Sequence, residues 1–262
     1  MRTVEGEILR GAAAAGVFGS SRAAVDVASR TDRGVSARGN ALVLTSALAG
    51  RALLGALNGI TPEIFFSAAA EVDDSFRPRA ARSREYHYLE SEPVGPAAAY
   101  RRAAALAVGD IDVRSFGRGL SADRPVVRSV RRFDVRPAES GLSLEIEAPS
   151  FVWGMVRKLV AATRDVVRGT LGTDEFQAAL SGEHRLTLPL AEPEPLMLWS
   201  VEYDRPWTVT VDPFRVRRSA YFASERRVAR ERALLLDSLR ATPDPAAEAS
   251  IARRPPSRAG SG

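Results

Sequence analysis

Apolar and polar positions along this chain repeat with two periods, and each change of period marks an element boundary. VEGEILRGAAAAG is Ala-rich, carries its charges early and ends at a Gly, which predicts a helix over residues 4–15. AAVDVAS (23–29) alternates as a strand does, SRTDRGVSARGN (29–40) has no apolar period and reads as a turn-rich loop, and ALVLTS (41–46) is a second short strand. A helix follows over 47–60, with Leu53, Leu54 and Leu57 on one side, then a strand over 63–72. A basic, Pro-containing loop (73–84) leads into EYHYLE (85–90), which alternates cleanly.

Helices are predicted over 97–108 and 110–120, and a β-hairpin over 125–150 turns around Glu139 to Gly141. The strongest helical pattern is FVWGMVRKLVAATRDVVRG (151–169), where Val152, Met155, Val156, Leu159 and Val160 share an apolar face. A short helix over 173–182 has Thr173 as N-cap and Gly182 as its stop, and LMLWSVEY (196–203) is a closing strand. Mixed strands and helices with a hairpin predict an α+β fold. The expected organisation is an N-terminal sub-domain over 1–95 and a C-terminal one over 96–205. Residues 206–240 form an extension, helical over 226–240 with Val228, Leu235 and Leu239 on one face, and 241–262 a Pro-, Ala- and Ser-rich disordered tail.

Composition narrows the chemistry. The 262 residues include no cysteine and only two histidines, His87 and His184, so disulfides, thiolate catalysis and Cys- or His-rich metal centres are excluded. Net charge is +5, and Lys158 is the only lysine among 37 basic residues. Arginine makes bidentate contacts to phosphate and stacks on bases, which suits an RNA partner; a GC-rich genome would produce the same bias. No apolar run reaches the ~18 residues of a membrane span, and no signal-peptide pattern is present, so a cytoplasmic location is expected.

The loop between the first two strands carries the most pointed chemistry. Arg30 and Arg33 flank Asp32 and favour its ionised form, while Gly34 allows a tight turn. A carboxylate held ionised in a loop suits nucleophilic or general-base work, although a solvated turn with a local ion pair has the same composition. On the strong helix, Arg157, Arg164 and Arg168 share a second face, and an arginine bordering an apolar face needs a partner.

The string RTDRGVSA (30–37) resembles the catalytic motif of the TruA-type tRNA pseudouridine synthases, with Ser29 and Ser36 standing where many members have Gly and His. Two further segments resemble that family in the same order: SFRPR (75–79) leading to REYHY (84–88), one residue tighter than usual, and SFVWGMVR (150–157). RTVEGE (2–7) is similar to the start of the family's first helix, which a further strand and a G-W/F-Q-type segment usually precede; a sheet lacking one central strand is therefore expected. The resemblance runs from about residue 3 to 203.

It implies a mixed, largely antiparallel sheet with helices packed on it and two sub-domains flanking a basic cleft. It implies isomerisation of uridine to pseudouridine in the tRNA anticodon arm, positions 38 to 40, by a homodimer using no cofactor and no metal. Asp32 would be the catalytic carboxylate, acting at C1′, at C2′ or at the base; Tyr86 would stack on the uracil, and Arg157 would pair with Asp32. Arg30, Arg33, Arg38, Arg79, Arg82 and Arg84 would contact RNA phosphates. Tyr88 reads as a core residue and Arg168 as a solvated one. The alternatives are a non-catalytic RNA-binding relative and a carboxylate hydrolase pairing Asp32 with Glu85 or another acid.

Overall fold

The computed structural model describes residues 3–19, 24–60, 63–120, 126–210 and 219–240. Helix α1 (Val4–Ala14) starts at Thr3, whose hydroxyl accepts the Gly6 N–H at 3.1 Å. That satisfies one of the orphan donors of the first turn, and Glu5 and Glu7 add favourable charge there. α2 (Gly50–Asn58) packs against α1, and Ala12, Val17, Phe18 and Leu57 form a small hydrophobic cluster between them. The flanking strands β1 (Val25–Val27) and β3 (Leu42–Leu44) pair antiparallel, so the loop bearing Asp32 is held at both ends.

The main sheet has five strands in the order β2 (Ser36–Ala37), β10 (Leu196–Glu202), β5 (Ser83–Glu90), β9 (Leu142–Ala148) and β8 (Arg132–Pro137). Every pairing is antiparallel except β2 with β10. The period of two in β5 is expressed directly: Arg84, Tyr86, Tyr88 and Glu90 are buried on one face, while Glu85, His87 and Leu89 lie on the other. The buried face joins the large core with Leu144, Ile146, Phe133, Val135 and Leu198. α3 (Ala97–Leu106) lies against β8 and against α4 (Met155–Arg168).

α4 buries Met155, Val156, Leu159, Val160 and the run Ala161 to Thr163. A fully buried aliphatic side chain of this kind contributes about 1.5–3 kcal/mol, so this helix is a main anchor of the core. It begins at Met155 rather than residue 151, because Gly154 takes φ +81° and turns the chain just before the first helical residue. The helix ends at Gly169, also left-handed, whose N–H reaches the Val166 carbonyl.

Four further expectations are corrected. The predicted helix over 110–120 is instead strand β6 (Gly109–Asp112) followed by turns, because its backbone groups pair with β7 (Val127–Val130). Local propensity there loses to a tertiary partner, and Asp112 accepts the Arg114 N–H at 2.9 Å to turn the chain. The strand expected over 63–72 is reduced to β4 (Ala68–Ala69), which pairs with β11 (Val209–Thr210). The N-cap of α5 (Thr173–Ser181) is Gly172, not Thr173; Asp174 and Glu175 in the first turn supply the favourable charge, and Gly182 closes the helix as expected. The C-terminal helix is longer than predicted, α6 spanning Ser219–Arg240 with Val228 half exposed. The tail 241–262 lies outside the described residues.

Candidate active site

Asp32 sits where the loop between β1 and β2 meets the start of α4. Arg157 Nη1 donates to Asp32 Oδ2 at 2.7 Å, with both side chains largely enclosed. The same guanidinium donates from Nε to the Ala191 carbonyl at 2.6 Å, which fixes its plane. The other carboxylate oxygen, Oδ1, accepts the indole N–H of Trp153 at 2.7 Å. Both oxygens therefore carry a donor from the segment that opens α4, more than 120 residues away in sequence.

Arg84 lies behind this group and is 6 % exposed. Its Nε donates to Ser29 Oγ at 3.0 Å, its Nη2 to the carbonyls of Ala28 at 3.1 Å and Arg79 at 2.8 Å, and its Nη1 to the carbonyl of Pro149. One side chain thus ties the end of β1, the basic loop and the approach to α4 to strand β5. This corrects the expectation that Arg84 faces a phosphate: all three of its nitrogens are used inside the protein.

Tyr86 is buried beside Phe151, the two rings meeting edge-on with centroids 5.3 Å apart. Burial pushes its hydroxyl up to about 12, and the nearby Asp32 charge acts in the same direction against opposing effects of Arg84 and Ser29. Tyr86 is therefore an un-ionised phenol at neutral pH, sharing the Asp32 neighbourhood with little surface of its own exposed.

The other arginines divide by placement. Arg30 and Arg33 are exposed on the Asp32 loop. Arg79 is exposed with Asp26 at 3.7 Å, and Arg82 is exposed with Asp204 at 3.7 Å; surface pairs of this kind are weak and leave the guanidinium available. Arg38 lies over the Trp199 ring, 4.3 Å from its centroid, and Trp199 stacks on His87 at 4.2 Å, on the sheet face opposite Tyr86. Arg38 is thus drawn away from the Asp32 side of the sheet. Arg164 donates to Glu90 at 2.9 Å and to the Tyr88 hydroxyl at 3.2 Å, and Arg168 is half exposed near Asp165.

On that opposite face, Glu85, His87 and Glu145 bring three ligand atoms within 4.8 Å. Arg132 already occupies the position of a cation there, at 2.8 Å from Glu85 and 3.3 Å from Glu145. Burial would raise the Glu85 carboxyl, but its bonds to Arg132 and His87 outweigh that and hold it below the ordinary glutamate value. A hydrolytic pair of Asp32 with Glu85 is not formed, because the sheet separates them.

The structure brings Arg157 and Tyr86 to the neighbourhood of Asp32, as the sequence strings led one to expect, and adds the Trp153 indole, which the strings did not single out. The available signal was positional: a large aromatic directly before the Gly that opens the helix carrying Arg157. Sequence reasoning also misassigned Arg84, since nothing in a linear string separates a buried guanidinium from an exposed one.

Comparison with known proteins gives a consistent set of relatives. Residues 103–204 match a family model described as tRNA pseudouridine synthase, a span that includes Arg157 and Trp153 but not Asp32. A protein named tRNA pseudouridine synthase A from Thermococcus kodakarensis is 36 % identical over 206 residues, covering 78 % of this chain and 77 % of the relative. The protein of that name from Thermococcus onnurineus is 35 % identical over 209 residues, with the same coverage of both chains. The one from Methanocorpusculum labreanum is 35 % identical over 222 residues, covering 83 % of this chain and 78 % of its own.

Proposed function

The chain belongs to the TruA-type tRNA pseudouridine synthases and is an isomerase acting on tRNA, and we propose that it converts uridine to pseudouridine in the anticodon arm, positions 38 to 40, with Asp32 as the catalytic carboxylate. The observation that carries the role of Asp32 is its pairing with Arg157 at 2.7 Å in a partly enclosed setting. That contact joins the two segments whose motifs resemble the family's.

The reaction needs no group from outside. The N1–C1′ bond of the nucleotide breaks, the uracil turns, C5 bonds to C1′, C5 loses a proton and N1 gains one. The uridine must leave its stack to be reached, and unstacking costs a few kcal/mol that protein contacts must offset. Asp32 supplies the anionic group at the reacting nucleotide. Arg157 pairs with that carboxylate and, itself anchored on the Ala191 carbonyl, holds it in one place. Tyr86, held as a neutral phenol, contributes an aromatic surface against the extruded base once the base enters. Exposed Arg30, Arg33, Arg79 and Arg82 contact phosphates, which set the register of the RNA without reading sequence. By its family, the working form is a homodimer.

The test uses the purified full chain and an unmodified tRNA transcript, with pseudouridine mapped by carbodiimide treatment and primer extension. New signal in the anticodon arm is expected, and Asp32→Asn should abolish it while tRNA affinity changes less than about threefold. Equal turnover by Asp32→Asn would remove Asp32 from the chemistry. Salt-sensitive tRNA binding with no product from the unsubstituted chain would favour a non-catalytic RNA-binding relative.

A further inference from the structure

We propose that Trp153 is a positioning residue for Asp32, fixing the plane of the catalytic carboxylate through its indole N–H. The inference rests on the functional reading above. Arg157 alone cannot set that plane. Its Nη1 donates to Oδ2 and its Nε to the Ala191 carbonyl, so the pair is held by one bond to one oxygen and is not a fork across both. One bond to one oxygen leaves the carboxylate free to turn about its Cβ–Cγ bond, a broad and soft torsion. The Trp153 bond to Oδ1 at 2.7 Å is the second point of attachment that stops it.

Packing does not explain the indole's placement. Trp153 is 57 % exposed, whereas a tryptophan retained for the core would be enclosed. Three features hold it at Asp32 instead. Gly154 takes φ +81°, and a Cβ there would meet the Arg118 side chain and Leu190 at 3.2 Å, so this turn favours glycine. The Arg118 guanidinium lies 4.0 Å from the centroid of the indole ring, and the Arg118 N–H donates to the Trp153 carbonyl at 2.9 Å. The segment that carries Arg118 is itself pinned by Lys158, whose ammonium donates to the carbonyls of Ser115 at 3.0 Å and Gly117 at 3.2 Å. The chain of restraint runs from Lys158 through Arg118 and Trp153 to Oδ1. Its chemical use is orientation: a reacting oxygen misplaced by about 1 Å can cost a hundredfold in rate.

The decisive variant replaces Trp153 with 3-benzothienylalanine, which keeps the bicyclic shape and the stack with Arg118 but has sulfur in place of the N–H. Its single-turnover rate on unmodified tRNA should fall about tenfold to a hundredfold, with the tRNA Kd within about twofold of the unsubstituted chain. Arg118→Ala should lower the rate in the same direction by less. A rate within about twofold of the unsubstituted chain overturns the proposal. A second readout needs no turnover. The indole ¹H–¹⁵N resonance of Trp153, assigned by its loss in Trp153→Phe, should move in tRNA-free Asp32→Asn; a resonance that stays put shows that the bond is absent, and also overturns it. Failure of the unsubstituted chain to make any pseudouridine defeats the functional reading itself, and the positioning role with it, and is recognised because both proteins then read zero.

Discussion

Replacing Arg84 with Lys separates the interior from the RNA surface more sharply than any other single change. The guanidinium makes four hydrogen bonds, to Ser29 Oγ and to the carbonyls of Ala28, Arg79 and Pro149. Its three nitrogens point in three directions, and the acceptors belong to three separate segments. A lysine ammonium concentrates its donors on one atom and can serve at most part of this set. Loss of two such bonds, each worth about 1.5–3 kcal/mol when the donor is charged, predicts a destabilisation of about 3–6 kcal/mol before relaxation. Urea denaturation should record it as a lower midpoint with little change in slope.

The salt dependence of tRNA binding, measured on folded protein well below that midpoint, should be unchanged in Arg84→Lys. Arg79→Ala is the contrast: if this exposed arginine contacts a phosphate as proposed, its removal should flatten the slope of log K against log salt by about 0.7–0.9. If Arg84→Lys keeps its stability within about 0.5 kcal/mol and instead loses tRNA affinity with a flatter slope, the reasoning from burial is wrong. In that case the side chain reaches the RNA in solution.

Two further outcomes follow from the same geometry. Arg157→Ala leaves Asp32 without its guanidinium partner and the Ala191 carbonyl without its donor; the single-turnover rate should fall about a hundredfold or more, and Arg157→Lys should recover part of it, both read by the mapping assay. Tyr86 and Tyr203 both have hydroxyls pushed up to about 12 by burial, so the folded state holds their protons more tightly than the unfolded chain. Stability from them is therefore intact below about pH 10 and is lost as pH rises towards 12; a pH series of urea midpoints should fall in that window, and Tyr86→Phe should shrink the fall.

The parts of the fold that were legible in the sequence are those whose signals are local. The period of two in β5, the apolar stripe of α4 and the Ala-rich run of α1 with its early charges each state their own environment within a few residues. The missed strand β6 has no such signal. Its conformation is decided by β7, and a short Asp- and Gly-containing stretch takes whatever partner the fold supplies. The site follows the same division. Asp32 and Arg157 were legible because each lies in a distinctive string, and the hydrogen bond between them is a long-range fact that those strings make expected. Trp153 was not, because one donor aimed at a carboxylate leaves no periodicity behind.

The arginines show why composition alone could not finish the reading. A near-absence of lysine suits RNA contact but does not say which arginines make it, and the structure gives them different work. Arg84 is a buried fastener, Arg157 and Arg164 hold carboxylates, Arg132 fills the place of a cation among acids, and Arg38 covers a tryptophan on the far face. Arg84, Arg132, Arg157 and Arg164 are paired with carboxylates or buried, whereas Arg38 stays exposed over Trp199. The arginines we propose for RNA contact are four exposed ones, Arg30, Arg33, Arg79 and Arg82. A net charge of +5 therefore does not by itself describe what a polyanion meets, since several arginines are spent on interior partners while others face solvent. Neutralising two of that exposed group together should lower tRNA affinity at low salt and flatten its salt dependence while leaving the urea midpoint in place, a pattern that the fasteners cannot produce.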